Sequence, residues 1–138
     1  MKPKHIQMYM EIAECLARAS NGVRRKVGAV IVKNNNIIST GYNALPRGLD
    51  GSLEDESGNT RPETRHAEKN AMMGLIRSNE GAVGATMFCT TSCCYFCAID
   101  IVDAGIVKFI YKEDYRLDDG LKYLKENGVI VYKLQEEG

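Results

Sequence analysis

The amino-acid sequence predicts an α/β sandwich on a mixed sheet of about five strands. Two observations predict it. Two apolar segments joined by asparagines read as an antiparallel hairpin, and after a long polar interval strand and helix patterns alternate to the end of the chain. Helices that cross over between strands make those strands parallel, so hairpin and crossovers together give a mixed sheet.

Residues 4–19, HIQMYMEIAECLARAS, place Ile6, Met10, Ala13, Leu16 and Ala17 on one helical face, with Glu11, Glu14 and Arg18 elsewhere. Asn21-Gly22 can stop that helix. VGAVIVK (27–33) is β-rich and apolar on both faces, NNN (34–36) is a turn in which asparagine tolerates positive φ, and IISTGY (37–42) returns. From Asn43 to Arg65 the chain is polar, rich in Gly, Asp, Glu, Ser and Pro, and without periodicity, which marks a long functional or mobile loop. HAEKNAMMGLIRS (66–78) resumes helical spacing through Ala67, Ala71, Leu75 and Met72, Ile76. TMFCT (86–90) is a short strand, CYFCAIDIVDAG (94–105) a helix stopped by Gly105, and VKFIY (107–111) a strand. DDGLKYLKENG and VIVYKL supply a last helix and strand. Helix starts then gather at one edge of the sheet, where open α/β folds place their sites, and both His66 and Cys94 stand at such starts.

Composition narrows the function classes. A chain of 138 residues, 44% hydrophobic, fits one domain, 1–138. Lys plus Arg equals Asp plus Glu at 18 each, so no broad basic field exists to gather a long nucleic acid. Apolar runs fall far short of the ~20 residues a membrane span needs. The opening MKPKHIQMYMEIAE lacks a signal peptide's apolar core, and a soluble cytoplasmic protein is expected. Five cysteines without an export signal argue against a disulfide framework. Cys15 and Cys89 lie in apolar segments and are expected to be small buried hydrophobes.

Two histidines are present. His5 is isolated in the first helix and has no expected catalytic task. His66 has Glu68 two positions on, at the mouth of a helix; alone this would signify only an acid near the positive end of a dipole. Cys94 and Cys97 open the next helix, where two thiolates three residues apart can meet one tetrahedral zinc ion. A thioredoxin-like redox pair would instead follow an earlier strand directly. His66, Cys94 and Cys97 together provide three ligands and leave a fourth position open, the mark of a catalytic zinc site. Two thiolates neutralise the ion, so it acidifies water less than a site of three imidazoles would, and a neighbouring base is needed; Glu68 fits that task. Cys93 with Cys97, or Cys89 with Cys93, are alternative pairings. Cys94 with Cys97 is favoured because it keeps the two-residue spacing on the first helical turn.

HAEKNAM and TTSCCYFCA resemble the two halves of the zinc site of the cytidine deaminase-like superfamily, the H-x-E then P-C-x-x-C signature. RRKVGAVIVKNNNIISTGYNALPRG and GNTRPETRHAE resemble deoxycytidylate (dCMP) deaminases in particular, and the likeness covers roughly residues 8–132. Cys93 departs from the pattern by standing where the family has proline. The resemblance implies a three-layer α/β/α cytidine deaminase-like fold and hydrolytic deamination of dCMP to dUMP and ammonia, supplying dUMP for thymidylate synthesis. It implies one Zn²⁺ per chain on His66, Cys94 and Cys97, with Glu68 moving protons. It further implies that Asn43 contacts the nucleotide sugar, that the Ala67 backbone lines the base pocket, and that Tyr115 and Arg116 lie near the nucleotide. Arg47, Arg65 and the run Arg24-Arg25-Lys26 offer cations for the phosphate. A homo-oligomer, expected as a hexamer, with dCTP and dTTP as effectors, is implied by analogy. The long loop lacks the extra histidine and cysteine for a second zinc. Rival readings are another cytidine or deoxycytidine nucleotide deaminase, and a non-catalytic zinc-stabilised nucleotide-binding module. Glu68 weighs against the latter, since a structural metal needs no acid-base group.

Overall fold

In the computed structural model residues 1–135 are described, so 136–138 of the expected domain lie outside the described residues. The order is α1 (Pro3–Ala17), β1 (Gly28–Lys33), β2 (Asn36–Tyr42), α2 (Ala67–Leu75), β3 (Thr86–Thr91), α3 (Tyr95–Asp103), β4 (Lys108–Glu113), α4 (Asp119–Glu126) and β5 (Ile130–Lys133). These strands form a sheet ordered β2-β1-β3-β4-β5. β1 runs antiparallel to both β2 and β3, whereas β3, β4 and β5 are mutually parallel. The mixed sheet and its five strands agree with the sequence pattern.

Strand alternation explains the three layers. Val30, Val32, Phe88 and Ile110 face α1 and pack on Tyr9, Met10 and Ala13. Their neighbours Ala29, Ile31, Met87, Cys89, Phe109 and Tyr111 face the other way, toward α2, α3 and α4. Phe88 and Phe109 are fully buried on opposite faces. Each contributes about 2–3 kcal/mol by leaving water. The hairpin turn uses positive φ at Asn34 (52°) and Asn35 (62°), while Asn36 already belongs to β2.

Two sequence expectations fail. Cys15 is exposed, not core. It lies two residues from both Ala13 and Ala17, about 200° around the helix from each, so their burial turns it to solvent. Ile76 is 73% exposed although it keeps helical dihedrals as the C-cap of α2, because it lies about 100° around the helix from buried Leu75 and about 140° from buried Ala71.

What seats α2 is a close backbone approach. A Cβ on Gly41 would lie 2.5 Å from the Ala71 nitrogen and 2.6 Å from the Ala67 oxygen, so only glycine lets β2 and α2 meet there. Ser39 Oγ donates to the Ala71 carbonyl at 2.6 Å and Asn70 Nδ2 to the Tyr42 carbonyl at 2.8 Å. The start of α2, which carries His66 and Glu68, is thereby fixed to the sheet. The loop 43–65 is closed at its base by reciprocal Ala44–Arg65 backbone bonds of 3.0 and 2.8 Å. Buried Leu53 anchors its middle. No helix among the described residues is long and apolar enough to cross a membrane.

Candidate active site

His66 is the N-cap residue of α2 and Cys94 that of α3, both in extended conformation. Each helix therefore begins at the residue whose side chain carries a metal-type donor atom. Cys94 Sγ also accepts the Cys97 N–H at 3.4 Å, a cap that holds the two sulfurs on one turn. His66 Nδ1 lies 3.5 Å from Cys94 Sγ and 3.3 Å from Cys97 Sγ. Zinc bonds of ~2.0–2.1 Å to nitrogen and ~2.3 Å to sulfur at a tetrahedral angle put those atoms about 3.6 Å apart. The donor set fits zinc. Among the described residues these three form the one group of metal-type donors, all within 4.8 Å of one another; Cys93 is not in it.

The electrostatics agree. Hydrogen bonds from the Cys97 thiol, then from His66 and the Cys97 N–H, hold the Cys94 thiol well below the usual thiol range. The Cys94 sulfur in turn raises His66. The three donors share protons that a bound cation displaces. Cys93 is buried, and desolvation pushes its thiol up, away from thiolate chemistry.

Glu68, in the first turn of α2, is 3% exposed, and burial raises its carboxyl above the usual range. It nevertheless lines a cavity of about 400 Å³ together with His66, Ala67 and Cys94. That is the scale of a small-molecule site.

The other expected residues divide. Asn43 and Tyr115 line the same cavity, as do Arg24, Arg25 and Arg116. Arg47 and Arg65 are exposed and outside its lining. The Asn43 amide is partly committed, its Oδ1 accepting the Val27 N–H at 2.9 Å and its Nδ2 donating to the Arg25 carbonyl at 3.0 Å. Tyr115 has the Arg25 guanidinium 4.8 Å and that of Arg116 5.7 Å from its ring centroid. Its N–H donates to Ser92 Oγ at 2.7 Å, joining this rim to the turn that carries Cys94. Sequence reading missed Thr91 and Ser92 in the wall. Their place at the C-terminal end of β3 was the available signal.

The family model for the cytidine and deoxycytidylate deaminase zinc-binding region matches residues 3–113. The chain belongs to the cytidine and deoxycytidylate deaminase family. Among the relatives of this family member is the deoxycytidylate deaminase of Saccharomyces cerevisiae, 36% identical over 141 residues, covering 95% of this chain and 45% of the yeast protein. The Schizosaccharomyces pombe enzyme of the same name is 32% identical over 130 residues, covering 85% and 39%. The chain thus spans less than half the length of these two relatives. The crystal structure of a cyanophage S-TIM5 dCMP deaminase in complex with dCMP and dUMP superposes with a TM-score of 0.95 at 41% identity, covering 97% of this chain and 99% of that one.

Proposed function

We propose that the chain catalyses hydrolytic deamination of dCMP to dUMP and ammonia. The carrying observation is a buried acid-base group, Glu68, on the wall of a cavity that three arginines also line, with two of the three zinc-type donors, His66 and Cys94, on the same wall and Cys97 grouped with them. The deoxycytidylate deaminase names of its relatives support the same reading.

His66, Cys94 and Cys97 would hold zinc, and the ion would supply Lewis acidity to make a water more acidic. Glu68 takes one proton from the attacking water and delivers it to ring nitrogen 3, then takes the second from the same oxygen once it is bonded to the ring and delivers it to the departing amine. Water's oxygen becomes bonded to ring carbon 4, the exocyclic carbon–nitrogen bond breaks and ammonia leaves; Glu68 ends as it began. Burial raises its carboxyl above the usual range, so Glu68 holds a proton it has taken more firmly than an exposed carboxylate would. Asn43 has one amide hydrogen beyond those committed in the fold, available to the sugar. The Ala67 backbone, at the first turn of α2, borders the base. Arg24, Arg25 and Arg116 receive the phosphate beside Tyr115, in preference to Arg47 and Arg65.

The proposal extends to a single cytoplasmic domain without long nucleic-acid or membrane partners. It also includes a homo-oligomer, as a hexamer, responding to dCTP and dTTP. Phe96, 77% exposed, and Tyr95, 40% exposed, supply apolar surface for assembly next to the site. Sedimentation, and dCMP turnover with each triphosphate added, test these two points. The central experiment is zinc determination with ammonia release from dCMP, cytidine, dCTP and adenosine. One zinc per chain and preferred turnover of dCMP is expected; zinc-loaded protein that releases ammonia from none of them overturns the reading.

A further inference from the structure

Cys89 sits in the middle of β3, opposite Ala29 of β1 and Tyr111 of β4. It has no exposed surface, and nothing in the sequence distinguishes it from core filler. Its sulfur, however, lies 2.9 Å from Glu68 Oε1 and donates a hydrogen bond to it inside the core. Glu68 has three rotatable side-chain bonds, and seating α2 against β2 fixes only its backbone. Something must hold the carboxylate.

We propose that Cys89 is a positioning residue: its S–H holds Oε1 of Glu68 against the sheet and leaves Oε2 for proton transfer. A thiol serves here because burial, and then the charge of Glu68, push it well above its ordinary range, so it keeps the proton it donates. It is also small enough for a fully packed site, where a longer donor would need room the core does not have. The kinetic half of this inference rests on the deamination reading; the hydrogen bond itself does not.

The test uses zinc-loaded protein with Cys89→Val, similar in size and without a donor, and Cys89→Ser, which restores one. Cys89→Val is expected to keep its zinc and KM for dCMP while kcat falls about tenfold, the loss of one weak-donor bond to a charged group. Cys89→Ser is expected to recover most of that kcat. Infrared spectra give a readout independent of turnover. The S–H stretching band lost in Cys89→Val should lie at a hydrogen-bonded, lowered frequency in the unsubstituted protein and move up in Glu68→Ala. Unchanged kcat in Cys89→Val overturns the positioning role, and an S–H band at free-thiol frequency overturns the contact. Should Cys89→Val not fold, Cys89→Ser and the bands of the unsubstituted and Glu68→Ala proteins decide. If the unsubstituted protein releases no ammonia, the deamination reading fails and the positioning role with it, while the infrared band still tests the bond.

Discussion

A glutamate with 3% of its surface exposed has lost most of the water that would stabilise its charge. The proton-transfer role proposed for Glu68 makes that cost tolerable, since a group in that role exchanges protons rather than storing charge. Glu68→Gln preserves shape and is expected to retain one zinc per chain while turnover falls about 10²–10⁴-fold, checked by metal analysis and ammonia release. The cysteines show what spacing can and cannot disclose. Three pairings were open in the sequence, and the structure groups Cys94 and Cys97 with His66 while burying Cys93 in the core. Cys93→Ser should therefore keep its zinc and lose about 1–2 kcal/mol of stability, a hydroxyl replacing a buried thiol. Cys94→Ser should lose zinc, and metal content after dialysis separates the two. Cys15 and Cys89 looked alike in sequence because each sits among apolar neighbours. The tertiary partner decides, solvent for one and the carboxylate of Glu68 for the other.

At the level of elements, the zinc-type donors depend on how α4 meets the turn before α3. A Cβ on Gly120 would collide with the Cys93 carbonyl oxygen and lie 2.8 Å from that of Cys94. Gly120→Ala must push α4 away from backbone that positions a ligand. It should cost about 1–3 kcal/mol, read by denaturant unfolding, and weaken zinc retention. The loop 43–65 was legible only as a loop, since its order comes from contacts made elsewhere. Glu54 accepts the Val23 N–H at 3.1 Å and the Arg24 N–H at 3.2 Å, and also receives the Ser52 hydroxyl at 2.8 Å. The Ser52 bond first, then the two N–H groups, lower its pKa from 4.5. A carboxylate lowered on folding stabilises above its unfolded value, and the gain is lost as pH falls through the folded value. The tether should open in acid, below pH 4.5, with loss of amide-exchange protection at Val23 and Arg24. Glu54→Gln should show that weaker protection already at neutral pH.

Across the whole molecule, short continuous apolar runs made the sheet readable, because β1, β3 and β4 each bury both faces between helices. Helix ends were less readable: Ile76 fits the spacing of α2, yet it is the helix's C-cap and is exposed. The site joins α2 to α3 through His66, Cys94 and Cys97, and Lys69 adds an ion pair with Asp100 at 2.6 Å between the same helices. Zinc binding should thus stabilise the fold as a cross-link. With free zinc at a hundred times its dissociation constant the gain is about 2.7 kcal/mol, and chelation should lower Tm by about 8 °C in calorimetry. The cavity has a division of labour built into it. The groups that would perform bond chemistry rest on helix starts pinned to the sheet, whereas Arg24, Arg25, Tyr115 and Arg116 sit on connecting segments. Such an arrangement is modular: on the proposed function, appetite for one nucleotide over another could drift through exchange of surface segments while the residues beneath stay untouched.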